Sequence, residues 1–137
     1  MDELKRGQKE ILESRLEVFE NKYPERDYEI TITNPEFTCL CPRSGYPDFA
    51  TIIVKYVPDN YCLELKSYKL FINKYRDRGI FHEEVINEIL EELVQVVRPR
   101  YMEVKGDFNP RGNIHTFVRA EYVSANYKHD QRVKKDA

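Results

Sequence analysis

Cys41 stands directly before Pro42 and seven positions ahead of Asp48, and the run from Glu64 to Phe71 carries Lys66 and Lys69 three positions apart. A thiol becomes a nucleophile once deprotonated, a carboxylate moves protons, and lysines on one helix face can meet phosphates. On a short chain, these residue types together point to catalysis. Each also has an ordinary explanation. A free cysteine is usually a small buried hydrophobe, an Asp after Pro is usually a turn residue, and helix lysines are usually solvated. His82 and Glu83 open a helical pattern, where an acidic first turn complements the helix dipole. Cys39 and Cys41 with Cys62 or His82 form a conceivable zinc set, but they lack the Cys-x2-Cys or His-x3-His form, so no metal is expected.

The elements that must position these residues follow from periodicity. Residues 3–20 carry Leu4, Ile11, Leu12, Leu16 and Phe19 among charges, a loose helical pattern closed by Tyr23 and Pro24. Residues 28–33 alternate and are rich in β-branched side chains, and Asn34 and Pro35 are expected to end that strand. Residues 49–57 read as the best strand, turning at Pro58, Asp59 and Asn60 into a hairpin partner at 61–64. From Lys66 the period lengthens, predicting a helix to Gly79 and a longer one over 85–97, stopped before Pro99. Residues 101–108 and 114–122 return to period two as a second hairpin. The whole reads as one α+β domain over 1–137, an antiparallel sheet with two helices on one face, a peripheral segment at 1–24 and a polar tail at 126–137.

Composition narrows the partners. The 22 Lys and Arg against 24 Asp and Glu give a net charge of -2, no attractive field for nucleic acid. No apolar run approaches the ~20 residues that cross a bilayer, and the charged opening at 2–6 lacks a signal peptide's apolar stretch. Three cysteines in no framework spacing suit a reducing compartment, so a cytoplasmic protein without membrane or direct nucleic-acid contact is expected. The Rossmann and P-loop glycine patterns are absent, so any nucleotide is held by other groups. Four strands cannot close a barrel alone, and their free edges invite a ring of subunits sharing one sheet.

Glu64 to Phe71 resembles at every position the signature of the 7-cyano-7-deazaguanine reductases: Glu, Ser or Leu, Lys, Ser or Ala, an apolar residue, Lys, Leu or Tyr, an aromatic. Pro35 Glu36 Phe37 Thr38, Leu40 Cys41 Pro42, Pro47 Asp48 Phe49 Ala50, Phe81 His82 Glu83 and Pro99 Arg100 Tyr101 through Pro110 Arg111 Gly112 are similar to that family's blocks, in its order, across residues 27–122. The resemblance implies a tunnelling fold like that of GTP cyclohydrolase I, with homo-oligomeric rings in stacked pentamers and sites between subunits. It also implies NADPH-dependent reduction of a nitrile on a deazapurine to an amine, toward the tRNA nucleoside queuosine.

In that reading Cys41 adds to the nitrile to give a thioimide, Asp48 is the general acid, and His82 assists proton transfer. Glu83 and His82 bind the base with Leu63, Glu64 and Leu65. Lys66, Ser67, Lys69 and Arg111 contact NADPH. Two alternatives remain: an amidine-forming relative in which ammonia replaces hydride, on the archaeosine pathway, and a purine-binding module without turnover.

Overall fold

The computed structural model describes residues 3–125 and 127. In chain order its elements are α1 (Arg6–Glu13), β1 (Val18–Glu20), β2 (Ile30–Leu40), β3 (Pro47–Val57), β4 (Tyr61–Leu63), α2 (Leu65–Asn73) with a 3-10 turn (Lys74–Asp77), α3 (His82–Val97), β5 (Tyr101–Arg111) and β6 (Ile114–Val123). Strands β2, β3, β5 and β6 pair antiparallel in that order, and β1 pairs with β4 in a separate ribbon.

Period-two burial gives the sheet one covered face, formed by Ala50, Ile52, Val54 and Tyr56 of β3 and Met102, Val104 and Phe108 of β5. α3 buries Val85, Ile86, Ile89, Leu93 and Val97 against it, while Tyr68, Ile72 and Tyr75 of α2 and its 3-10 turn join the same core. The expected α+β architecture, with two helices on one face of an antiparallel sheet, is the one observed. α3 ends at Arg98, whose φ of 49° turns the chain out before Pro99.

Gly106 decides how closely α3 meets the sheet. A Cβ placed there would stand 2.5 Å from Ile86 Cδ1 and 2.8 Å from Phe108 Cε1, so any side chain would push the helix or the ring away. The first turn of α3 carries His82, so this close approach also sets where the imidazole sits.

Three expectations need correction. The helix expected over 3–20 stops at Glu13, and Val18–Glu20 is a strand, because Leu63, Cys62 and Tyr61 offer it a backbone ladder. Tertiary pairing overrides a loose helical pattern there. Asn34 and Pro35 do not end the first long strand, since β2 runs on to Leu40 through a register shift between Asn34 and Phe37. β2 is an edge strand, and a bulge on an edge is where proline is tolerated. The 61–64 segment is not the hairpin partner of 49–57, because β3 is flanked by β2 and β5. Its connection is instead tied to the N-terminal segment, where Asn21 N–H donates to Asn60 O at 2.8 Å and Asn21 Nδ2 to Asp59 O at 2.7 Å. The polar tail expected at 126–137 lies outside the described residues apart from Tyr127.

Candidate active site

The β2–β3 connection is a tight turn that presents Cys41. Cys41 N–H donates to Tyr46 O at 2.8 Å, Gly45 N–H donates to Cys41 O at 2.9 Å, and Gly45 takes a φ of 76° that only glycine adopts cheaply. The loop is anchored from behind, where Leu40 N–H donates to Arg78 O and Ile80 N–H to Leu40 O, each at 3.0 Å. The thiol is thus carried on rigid backbone at the end of a strand.

The Cys41 sulfur titrates well below an ordinary thiol, at about 7. The Ser44 hydroxyl is the foremost cause, followed by the backbone N–H groups of Ser44 and Arg43, with a further hydrogen bond from Arg111. Cys39, two residues earlier, behaves oppositely: it is 0% exposed in the core, and burial, then the Asp48 carboxylate, push it up to about 11. Cys62 is buried beside the Tyr28 hydroxyl at 3.6 Å. Among three free cysteines, Cys41 alone combines access with activation.

Asp48 sits opposite Cys39 in the β2–β3 register and is only 4% exposed. A carboxylate that deep needs partners. Arg111 Nη1 meets Oδ1 at 2.5 Å from the end of β5, and His82 Nε2 meets Oδ2 at 3.1 Å from the first turn of α3. The imidazole is itself held flat on Phe108, with ring centroids 3.8 Å apart and planes within 8°. Arg111 Nη2 also reaches Ser44 Oγ at 3.4 Å, so one guanidinium fork links the carboxylate to the cysteine turn.

These groups share a cavity of about 310 Å³ whose walls include Cys41, Asp48, His82, Glu83 and Arg111, with Phe81, Ile114 and Thr116 adding apolar and hydroxyl surface. The exposed Glu83 carboxylate at its rim suits the N–H edge of a base. A larger cavity of about 640 Å³ runs along the β2 bulge past Phe49, Asn73 and Arg76, but it holds none of the reactive groups. The chemistry therefore belongs to the smaller one.

The remaining sequence-predicted residues lie elsewhere on the chain. The Glu64 carboxylate caps α2, accepting from Ser67 N at 2.7 Å and Lys66 N at 3.0 Å, and those bonds, Ser67's first, hold it below the usual carboxylate range. Ser67 is 3% exposed, and its hydroxyl accepts from Glu17 N at 2.9 Å and donates to Glu64 O at 2.8 Å. That hydroxyl is engaged within the chain. Lys66 is 70% exposed with Glu10 at 3.8 Å and the Glu64 carboxylate close enough to feel its charge, and Lys69 lines a third cavity of about 240 Å³ with Leu65 and Tyr68. Leu63 is buried. None of residues 63–69 lines the Cys41 cavity, so one chain brings Cys41, Asp48, His82, Glu83 and Arg111 together and leaves the lysine segment on another surface.

Sequence reasoning missed Ser44 and Phe108. A hydroxyl three residues beyond a turn cysteine and just before Gly45 was the available signal for Ser44; Phe108 gave none, since its role depends on a helix packed across the sheet. No cluster of three or more metal-ligating side chains occurs among the described residues, and no helix among them is long and apolar enough to cross a membrane.

The model of the QueF-like protein family matches residues 47–127. Over 117 residues the chain is 60% identical to the NADPH-dependent 7-cyano-7-deazaguanine reductase of Aquifex aeolicus, covering 85% of this chain and 91% of that one. It is 58% identical over 120 residues to the reductase of the same name from Microcystis aeruginosa, covering 88% and 92%. Among solved structures, the apo archaeosine synthase QueF-Like is similar with a TM-score of 0.66 and 26% identity, over 71% of this chain and 95% of that one. The α+β sheet is thus a tunnelling fold. With the matched region spanning more than half of its length and holding Asp48, His82, Glu83 and Arg111, the chain belongs to the QueF-like family.

Proposed function

We propose that the protein reduces the nitrile of 7-cyano-7-deazaguanine to the aminomethyl group of 7-aminomethyl-7-deazaguanine with NADPH, in queuosine biosynthesis, through a thioimide on Cys41. The observation that carries this reading is a cysteine titrating at about 7 on the wall of the same cavity as a buried Asp48. A neutral nitrile is a poor hydride acceptor, and covalent attachment to sulfur corrects that.

In the first step the Cys41 sulfur bonds to the nitrile carbon, one carbon-nitrogen π pair moves to nitrogen, and nitrogen takes a proton. The thiol thereby adds across the triple bond with no net change in charge. Asp48 delivers that proton as general acid, and His82, 3.1 Å from Asp48, resupplies it. Arg111 fixes the orientation of Asp48, and Glu83 accepts hydrogen bonds from the base. A bound NADPH would supply the two hydrides that take the former nitrile carbon to the level of the amine. Between the two reductions the carbon-sulfur bond breaks with its electron pair returning to Cys41.

Lys66 and Lys69 fit the phosphates of that dinucleotide, being exposed cations three positions apart on α2. Ser67 is left out of this set because its hydroxyl is engaged by Glu17 and Glu64. Arg111 acts instead beside Asp48. Since residues 63–69 do not line the Cys41 cavity, we propose that a neighbouring subunit brings its own Leu63, Glu64, Leu65, Lys66 and Lys69 to it. The open edges at β2 and β6 support a homo-oligomeric ring that completes the site in this way. Residues 1–137 would act as one unit, in a cytoplasm that keeps its three thiols reduced.

The archaeosine synthase likeness keeps an amidine-forming reaction as the second reading, weaker at 26% identity than the reductase reading at 60%. Purified protein given the nitrile alone should gain its mass on Cys41. With NADPH it should release the amine, whereas amidine released with ammonium and NADPH left untouched would establish the second reading.

A further inference from the structure

The two oxygens of the Asp48 carboxylate have different partners. Oδ1 meets Arg111 Nη1 at 2.5 Å, and a guanidinium neither accepts nor surrenders a proton, so the proton that Asp48 passes on travels through Oδ2. Oδ2 faces His82 Nε2 at 3.1 Å. That contact selects the ring nitrogen but leaves the imidazole free to swing about it. Phe108 removes the freedom. Its ring, 1% exposed, lies within 8° of parallel to the imidazole with 3.8 Å between centroids. Gly106 in turn lets that ring and Ile86 of α3 settle onto the same backbone, where a Cβ would stand 2.8 Å from Phe108 Cε1. The stack is closer than the ~4.5–7 Å of the offset and edge-on arrangements that neutral rings prefer. A positive charge on the imidazole reverses that preference, because the face of a phenyl ring is negative. His82 opens α3, whose dipole disfavours a cation there. The Asp48 carboxylate and the Phe108 face, both against the ring, offset that cost.

We propose that Phe108 is a positioning residue for proton delivery: its ring face holds His82 with Nε2 on Asp48 Oδ2 and supports the imidazole while it carries the proton in transit. The proposal rests on the reductase reading, in which Asp48 is the acid. As the carbon-sulfur bond forms, the Asp48 O–H bond breaks, its electron pair stays on oxygen, and the proton bonds to the nitrile nitrogen. The imidazolium Nε2–H then gives its proton to Oδ2, and a neutral imidazole remains. His82 is recharged through solvent by the proton that Cys41 released on ionising, since its side chain is still 21% exposed. The sum is one S–H added across the triple bond. Phe108 touches neither the nitrile nor the sulfur in this scheme and acts through His82 alone.

The test is a double-mutant cycle on the rate at which Cys41 gains the mass of the nitrile without NADPH. Phe108→Leu should slow that rate about tenfold, as expected for a proton donor held loosely. Base affinity, measured by calorimetry with Cys41→Ala added, should stay within about twofold. In a His82→Ala background, Phe108→Leu should slow the adduct no further, because the imidazole it acts through is gone. The same tenfold loss in both backgrounds would make Phe108 core packing alone and overturn the proposal, as would an unslowed Phe108→Leu. A second reading needs no change at Phe108 and stands even if that variant does not fold. In the NMR spectrum of wild-type protein carrying 13C-labelled histidine, the His82 Cε1–H signal, identified by its loss in His82→Ala, should lie upfield of an unstacked histidine. An ordinary position would overturn the proposal. Because no substrate enters that spectrum, an upfield signal in protein that forms no Cys41 adduct would keep the stack and refute the reductase chemistry, so the two failures are distinct.

Discussion

Cys41 and Cys39 lie two residues apart yet should differ in reactivity by about two orders of magnitude, and the structure gives the size of the difference. At pH 7 a thiol that titrates at about 7 is about half ionised, whereas one at about 11 is ionised roughly once in 10⁴, a thiolate ratio near 5 × 10³. The less acidic thiolate is intrinsically the better nucleophile, and a Brønsted slope of about 0.4–0.5 across that gap returns about 40- to 100-fold to Cys39. The net advantage of Cys41 is about 10²-fold before access is counted, and Cys39 is fully buried. A time course of iodoacetamide labelling at pH 7 should therefore modify Cys41 almost completely before Cys39 is touched. The Cys41 rate should climb with pH and level off above about 7, since its thiolate is favoured below the ordinary thiol range. Comparable labelling of the two cysteines, or a Cys41 midpoint at the ordinary thiol value, would show that the β2–β3 turn does not activate Cys41.

Other expectations follow from the same geometry. Asp48→Asn should slow thioimide formation by about 10²-fold or more, while calorimetry finds base binding largely kept. Glu83→Ala should instead weaken base binding by about 10- to 100-fold, the effect of removing a charged hydrogen-bond partner, and the opposite pattern would exchange the two roles. Gly106→Ala should cost about 1–3 kcal/mol in urea unfolding, because its Cβ would overlap Ile86 and Phe108; an unchanged midpoint would show that α3 does not rest on that glycine. Replacing Lys66 and Lys69 with Ala should raise the NADPH KM and leave the Cys41 adduct intact. Added salt should imitate it in part, since exposed charges are screened over ~8 Å at physiological ionic strength, and an unaltered KM would remove the lysines from the cofactor site.

How far the sequence could be read depended on whether an element is specified locally. α3 buries Val85, Ile86, Ile89, Leu90, Leu93 and Val97 at helical spacing, and residues 101–108 and 114–122 alternate in residue type, so both were legible without tertiary information. β2 was cut short because Pro35 punctuates a strand in general, and only its edge position with a bulge makes it tolerable. β1 was hidden because Val18–Glu20 becomes a strand only when Tyr61–Leu63 is beside it. Within the site, Cys41 and Asp48 stood out by type and by their place in a recognisable run of blocks. The grip of Arg111 on Asp48 spans 63 positions, a contact that no local pattern announces. Ser67 shows the reverse: its place in the octapeptide suggested a ligand contact, and burial gives its hydroxyl a structural task between Glu17 and Glu64.

The most direct test of nitrile reduction at Cys41 is the absorbance of NADPH in a mixture of purified, assembled protein and 7-cyano-7-deazaguanine. Two NADPH should be oxidised for each nitrile consumed, with the primary amine as product and no turnover in Cys41→Ala. Nitrile reduction would be contradicted by protein that forms the Cys41 adduct but leaves NADPH untouched, releasing an amidine when ammonium is supplied.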